Sequence, residues 1–190
     1  MVEAMRTLLL SKGFAATTVD EVCEQAAVTK GGFYHHFSSK DAMGLAAIDS
    51  YFDDLVTALS DGPFASIGDP VDRVLGFVDH VAEVCRGPIV RNGCVLGVFA
   101  LEVAERDESI QLALADRFRS MAVMISTLIA AAAAEREVDV DADLLADHLL
   151  TVIEGAIVLA KAHGDPAMIS RQVDLFGDYL SLLLEGRTPR

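Results

Sequence analysis

Positive charge is scarce in this chain: 15 Lys and Arg stand against 29 Asp and Glu, giving a formal net charge of −14. A broad basic footprint for nucleic acid is therefore excluded, because neutralised phosphates normally supply much of such affinity. Any DNA contact must rest on a few placed cations and on backbone amides. Proline is rare, with 5 in 190 residues, and alternating runs of Val, Ile and Thr are missing. With Ala and Leu plentiful, this excludes a sheet protein and points to an all-α chain. The three cysteines, Cys23, Cys85 and Cys94, form no CxxC and have no His spacing suited to zinc. They are expected to be free thiols, with no metal site and no cofactor.

Long apolar runs are also lacking. The longest, Met121 to Ala134, contains Ser126 and Thr127 and lies between Arg119 and Glu135. It is shorter than the roughly 18 residues of a membrane span. Met1-Val2-Glu3 does not begin a basic and then apolar leader. The expectation is a cytoplasmic protein with no membrane partner. There is no low-complexity tract, internal repeat or Gly/Ser linker.

What is present is hydrophobic content of 52%, enough for a substantial core at this length. Turn signals divide the chain into about nine helical segments, near 3–12, 18–26, 29–35, 40–60, 71–85, 93–105, 108–136, 141–163 and 167–185. Charge is uneven along them. Residues 1–50 hold 4 Lys/Arg and 6 Asp/Glu, and residues 51–190 hold 11 and 23. The acidity thus lies mostly in the larger C-terminal part.

The informative stretch runs from Thr17 to Lys40, TTVDEVCEQAAVTKGGFYHHFSSK. Thr18-Val19-Asp20-Glu21 fits a capping box opening the second helix. After a break at Ala27-Val28, Thr29 is placed to cap a third helix. Two short helices around a tight turn make a helix-turn-helix, whose second helix lies in the major groove with its leading residues at base edges. Thr29, Lys30, Gly31 and Gly32 occupy that leading end. Adjacent glycines there cost about 1 kcal/mol each relative to alanine, which makes sense where DNA must come close to the backbone. Tyr34 and His35 are placed for phosphate oxygens, and Lys40 adds a charge at the start of the fourth helix. Thr18 is the further candidate contact. Cys23 reads as core, and His36 as either a packing or a DNA-facing residue.

Val28-Thr29-Lys30-Gly31-Gly32-Phe33-Tyr34-His35-His36-Phe37, followed by Ser39-Lys40-Asp41-Ala42, resembles the recognition-helix signature of the TetR family of repressors. The resemblance covers about residues 4–50. It implies that Thr29, Lys30, Gly31, Tyr34, His35 and Lys40 face DNA, and that Val19, Val22, Ala26, Val28, Phe33 and Phe37 form a small core. The chain departs from the pattern in two places. Ala27 holds a turn position usually filled by Gly, a left-handed geometry that strains alanine by about 1 kcal/mol. And the sequence begins almost inside the first helix, ahead of which the family usually carries a basic arm.

The resemblance implies a helix-turn-helix domain over 1–46 and a ligand-binding and dimerisation bundle over 47–190. It implies a non-enzymatic repressor that binds a palindromic double-stranded operator and is released by a small-molecule or electrophile effector. The last two helices carry more apolar surface than one protomer covers, so they are expected to form a homodimer. The other reading is that they close the monomer's own core. Candidate effector-binding residues are Phe77, His80, Cys94, Phe99, Met121 and Met124, each also readable as plain core. Cys94, in Arg91-Asn92-Gly93-Cys94-Val95-Leu96-Gly97, resembles a position where some TetR members carry a reactive thiol. Gly93 leaves that thiol accessible in this reading, and a helix N-terminus would activate it. A packing role is the alternative. The alternative for the whole chain is a helical dimeric interaction protein with weak or lost DNA binding. An activator rather than a repressor also remains open.

Overall fold

The computed structural model describes residues 1–105 and 107–187. Every one of the nine expected segments is helical: α1 (Val2–Lys12), α2 (Val19–Gln25), α3 (Lys30–His36), α4 (Lys40–Ser60), α5 (Pro70–Arg86), α7 (Val95–Glu102), α8 (Glu108–Arg136), α9 (Ala142–His163) and α10 (Ala167–Leu184). A 3-10 turn, Pro63–Ser66, and a single helical turn, α6 (Pro88–Arg91), add to them. No strand occurs among the described residues. Residue 106 and residues 188–190, inside the expected second domain, lie outside the described residues.

Side chains at the boundaries account for most helix starts. Asp69 accepts from the amides of Val71 and Asp72, both at 2.9 Å, with Pro70 at the first helical position. Asp141 caps α9 through the Leu144 amide, and Asp107 opens α8 through the Ile110 amide. These oxygens satisfy donors that a helix leaves unpaired at its first turn. The sixth expected segment is shorter than its sequence suggests. Gly93 sits at φ 127°, outside helical geometry, and Cys94 is extended, so α7 starts only at Val95.

The residues form two compact units. The first comprises Met1–Leu55 with Cys94–Arg117, and the second Val56–Gly93 with Phe118–Arg190. The helices α4 and α8 supply residues to both. This division differs from a boundary at 46, because α7 and the start of α8 cluster with the N-terminal helices. In the first unit, Met5, Leu9, Val22, Phe33, Met43, Ile48, Tyr51 and Phe99 are buried almost completely. In the second, α10 lies against α5 and α9. Val74, Phe77, Leu149, Val173, Phe176 and Leu180 fill the interior there.

By length and composition α8 alone among the described residues matches a membrane-crossing helix. It buries Ile110 and Leu114 in the first unit and Met121, Ile125 and Ile129 in the second, as a core helix does.

Candidate nucleic-acid interface

The first unit builds its exposed helix pair from local chemistry. The Thr18 hydroxyl accepts from the Glu21 amide at 3.3 Å, and the Glu21 carboxylate accepts from the Thr18 amide at 2.9 Å. The capping box is therefore complete. The Lys12 ammonium, aided by the Thr18 hydroxyl and amide, holds the Glu21 carboxyl down at about 2. A folded-state value below the usual carboxylate range gives stability that is whole above about 4.5 and lost as pH falls toward 2. In that window the thermal midpoint of Glu21→Gln should therefore fall less steeply than that of the parent chain. Parallel melting curves would refute this.

Helix α2 ends at Ala26, and Ala27 adopts φ 52°. The left-handed turn inferred from the sequence is thus occupied by an alanine. The Ala27 and Val28 amides bond back to the carbonyls of Glu24 and Cys23, so the geometry is enforced on both sides. Substituting Ala27→Gly should relieve the strain and raise unfolding stability by about 0.5–1 kcal/mol, net of glycine's extra chain entropy. Urea denaturation measures it, and a loss of stability would contradict the strain.

Thr29 then caps α3, accepting from the Gly32 amide at 3.0 Å. Phe33, fully buried, anchors α3, with Tyr34 and Phe37 against its ring at 5.0 and 5.8 Å. Thr29, Lys30, Gly31, Tyr34, His35 and His36 are exposed, and Gly32 is half-buried. The structure thus gathers most of the predicted contact residues on one surface element. A Cβ at Gly31 would approach only the Thr29 hydroxyl, at 3.9 Å, and one at Gly32 the same atom at 3.4 Å. The fold itself therefore does not require glycine at Gly31.

Lys40 is a correction. Its ammonium donates to the carbonyls of Phe14 and Thr17 at 2.8 and 2.9 Å and lies 4.2 Å from the Phe14 ring centre. It fastens the α1–α2 connection rather than projecting outward as a free cation. Thr18 is exposed, but its hydroxyl is engaged by Glu21. The other cations of the first fifty residues are also engaged. Arg6 pairs with Asp54, Lys12 with Glu21, and Lys30 with Asp20 at 2.8 Å. The Lys30 pair is well exposed, and such pairs contribute about 0–1 kcal/mol. A phosphate can therefore displace Asp20 at little cost.

The candidate effector residues fall in both units. In the first unit, Phe99 is buried and stacks on Phe14 at 4.8 Å. Cys94 is the N-cap of α7, its sulfur accepting from the Gly97 amide at 3.4 Å. The helix N-terminus was expected, whereas thiol accessibility is corrected: Cys94 is only 6% exposed. In the second unit, Phe77 and His80 gather around Phe64, at 5.2 and 5.7 Å. The His80 Nε2 lies 2.7 Å from the Ala58 carbonyl oxygen. His80 also lines an open groove with Pro63, Asp79 and Glu83. Met121 is buried and Met124 half-buried. Cys23 and Cys85 are core, and burial pushes the Cys85 thiol up to about 12. No group of three His, Cys, Asp or Glu side chains among the described residues is placed to hold a metal ion.

One contact of the first unit left no trace in the sequence. The Glu102 carboxylate accepts from the Ala15 amide at 2.8 Å, across 87 residues of chain. Gly13, at φ 85°, makes room for it, since a Cβ there would collide with Glu102. Helix α7 thereby grips the α1–α2 connection from both Glu102 and Phe99.

Two family descriptions match this arrangement: "Bacterial regulatory proteins, tetR family" over residues 2–47, and "Tetracyclin repressor-like, C-terminal domain" over residues 70–176. The second alone spans more than half of the chain. The chain belongs to the TetR family. Among curated relatives of this TetR-family protein, the transcriptional regulator AcuR of Cereibacter sphaeroides is 32% identical over 89% of the chain and 78% of its own length. The transcriptional repressor DhaR of a Mycobacterium species is 26% identical, over 100% of the chain and 91% of its own length. A crystal structure of the regulatory protein TetR from Rhodobacter sphaeroides has a TM-score of 0.80 at 28% identity, covering 94% of this chain and 95% of that one.

Proposed function

We propose that this TetR-family regulator is a homodimeric repressor whose α3 reads a palindromic operator and whose C-terminal part senses a small molecule. It works in the cytoplasm, without a cofactor and without catalysing a reaction. DhaR, similar over 91% of its length, is named as a transcriptional repressor. The observation that carries the DNA reading is the exposed leading end of α3. There Gly31 is a glycine that the protein's own packing does not need. Thr18, Thr29, Lys30, Gly31, Gly32, Tyr34 and His35 form the contact set in residues 1–46, with Lys40 holding the set in place.

Dimerisation uses α9 and α10. On α9, Leu144, Thr151, Gly155, Val158 and Ala162 recur at near-helical spacing and are exposed. On α10, Leu175 is 60% exposed, with Tyr179 and Leu182 one and two turns on. Nothing lies within 4 Å of a Cβ built at Gly155, so a partner helix can come close there. Pairing two protomers sets two copies of α3 for successive major grooves, about 34–36 Å apart. The effector engages residues among Phe77, His80, Cys94, Phe99, Met121 and Met124 within 47–190. It favours a conformation in which the two recognition helices lose operator spacing.

A second reading has its own observation: all four cations of the first fifty residues are engaged internally, which suits an interaction protein that has lost DNA binding. Fluorescence anisotropy with promoter DNA at low salt separates the two. The repressor reading expects sequence-selective binding. It also expects Gly31→Ala to weaken that binding about tenfold while raising thermal stability, since alanine is the better helix former by about 1 kcal/mol. Binding without sequence preference, or unaffected by Gly31→Ala, would favour the interaction protein.

A further inference from the structure

The second unit contains a cavity of about 220 Å³ lined by Arg91, Asn92, Ile157, Lys161, Pro166 and Ile169, with Ala160 and two glycines between them. It lies where α6, the end of α9 and the start of α10 meet. None of the candidate effector residues lines it. At 100° per residue, Ile157 and Ala160 lie 100° or more from the exposed Leu144, Gly155 and Val158 stripe of α9, and Lys161 borders it, one turn on from Val158.

The two charged side chains of the lining, Arg91 and Lys161, are both cations. That is unusual in a part of the chain that holds 11 Lys/Arg against 23 Asp/Glu over residues 51–190. Arg91 has no carboxylate partner among the described residues. The nearest acidic residue of the α9–α10 connection, Asp165, is bound by Arg171 and by the Ala167 amide. The last carbonyls of α9, of Ala160 and Lys161, are capped by the Gly164 amide, with Gly164 left-handed at φ 66°. The other side chains of the lining include Ile157, Pro166 and Ile169, which offer only hydrocarbon.

We propose that this cavity binds a small organic carboxylate, its anionic head on Arg91 and Lys161 and its apolar body against Ile157, Pro166 and Ile169. A guanidinium fork matches a planar carboxylate in a bidentate manner. Inorganic phosphate satisfies the cations but covers none of the apolar wall. The volume lies below the roughly 300–1,000 Å³ of most ligand pockets, so the ligand is small. The assignment does not rest on operator binding, because it is read on the protein alone.

Isothermal titration of the full chain with benzoate, benzamide and inorganic phosphate tests it. Benzoate should bind saturably, and benzamide, equal in shape but neutral, at least about tenfold more weakly. Phosphate should bind more weakly than benzoate. Arg91→Gln and Lys161→Gln should each weaken benzoate at least about tenfold while leaving the melting midpoint of the unliganded protein unchanged. Absence of saturable benzoate binding, equal binding of benzamide, or indifference to both substitutions would overturn the proposal.

Discussion

A chain carrying Val158→Arg and Leu175→Arg together should be a folded monomer that has lost about 10²-fold or more of its operator affinity. Both side chains are mostly exposed, at 57% and 60%, so the protomer does not depend on them for its interior. Leu144, Val158 and Leu159 on α9 and Leu175 on α10 are large apolar residues left open on two helices that pack together, and such residues mark an interaction surface where they are contiguous. Placing a guanidinium at Val158 and at Leu175 would bury unpaired charge at a symmetric interface, where every substitution acts twice. The second α3 of a dimer binds at high effective concentration, and that advantage of about 10²–10⁴ is lost when the protomers separate. Light scattering coupled to gel filtration reads the mass, circular dichroism the fold, and anisotropy the affinity. A double variant that stays dimeric would place the interface elsewhere than on α9 and α10.

The second large effect is expected at Phe14, outside α3. Phe14→Ala should cost about 3–5 kcal/mol, as deletion of a buried phenyl ring commonly does. Phe14 is 5% exposed, and its ring meets Phe99 and lies beneath the Lys40 ammonium. Gly44 faces it so closely that a Cβ there would stand 3.1 Å from the Phe14 ring. Removing the ring leaves a cavity, frees Lys40 from an aromatic neighbour and loosens the carbonyls that its ammonium binds. Urea unfolding measures the loss, and operator binding at low temperature should return in part as the head refolds. A destabilisation under about 1 kcal/mol would show that Phe14 is not the fastening point of α1, α4 and α7.

How far the sequence could be read depended on how local the physics was. The capping box at Thr18, the cap at Thr29 and the positive φ at Ala27 each involve residues within a few positions of one another. All were visible as short patterns. The steps of four and three between Ile169, Val173, Phe176, Leu180 and Leu183 spell out the packing seam of α10, where the first four are buried and Leu183 is half-buried. Lys40 was misread because its position in the motif says where its backbone lies, whereas its partners are carbonyls 23 and 26 residues away. Glu102 could not have been found, since an acidic residue at the end of a helix is ordinarily solvated. Cys94 was placed correctly at a helix start, but its burial depends on neighbours that no local pattern specifies. The pairing of Arg91 with Lys161 around one cavity likewise required the turn of chain that brings residues 70 positions apart together.

The internal engagement of every cation in the head has a further consequence. A regulator spends most of its time among genomic sites that are not its target, held there by charge alone. In this head Arg6, Lys12 and Lys40 must first leave a carboxylate or carbonyl before they can meet a phosphate, and only the exposed Lys30 gives up its partner cheaply. The exposed Asp20 and Glu24 meanwhile repel the duplex. Sliding along arbitrary DNA should thus be brief, and the ratio of operator to bulk-genome occupancy correspondingly large. A modest intrinsic affinity then suffices for selective occupancy in the presence of abundant decoy sequence.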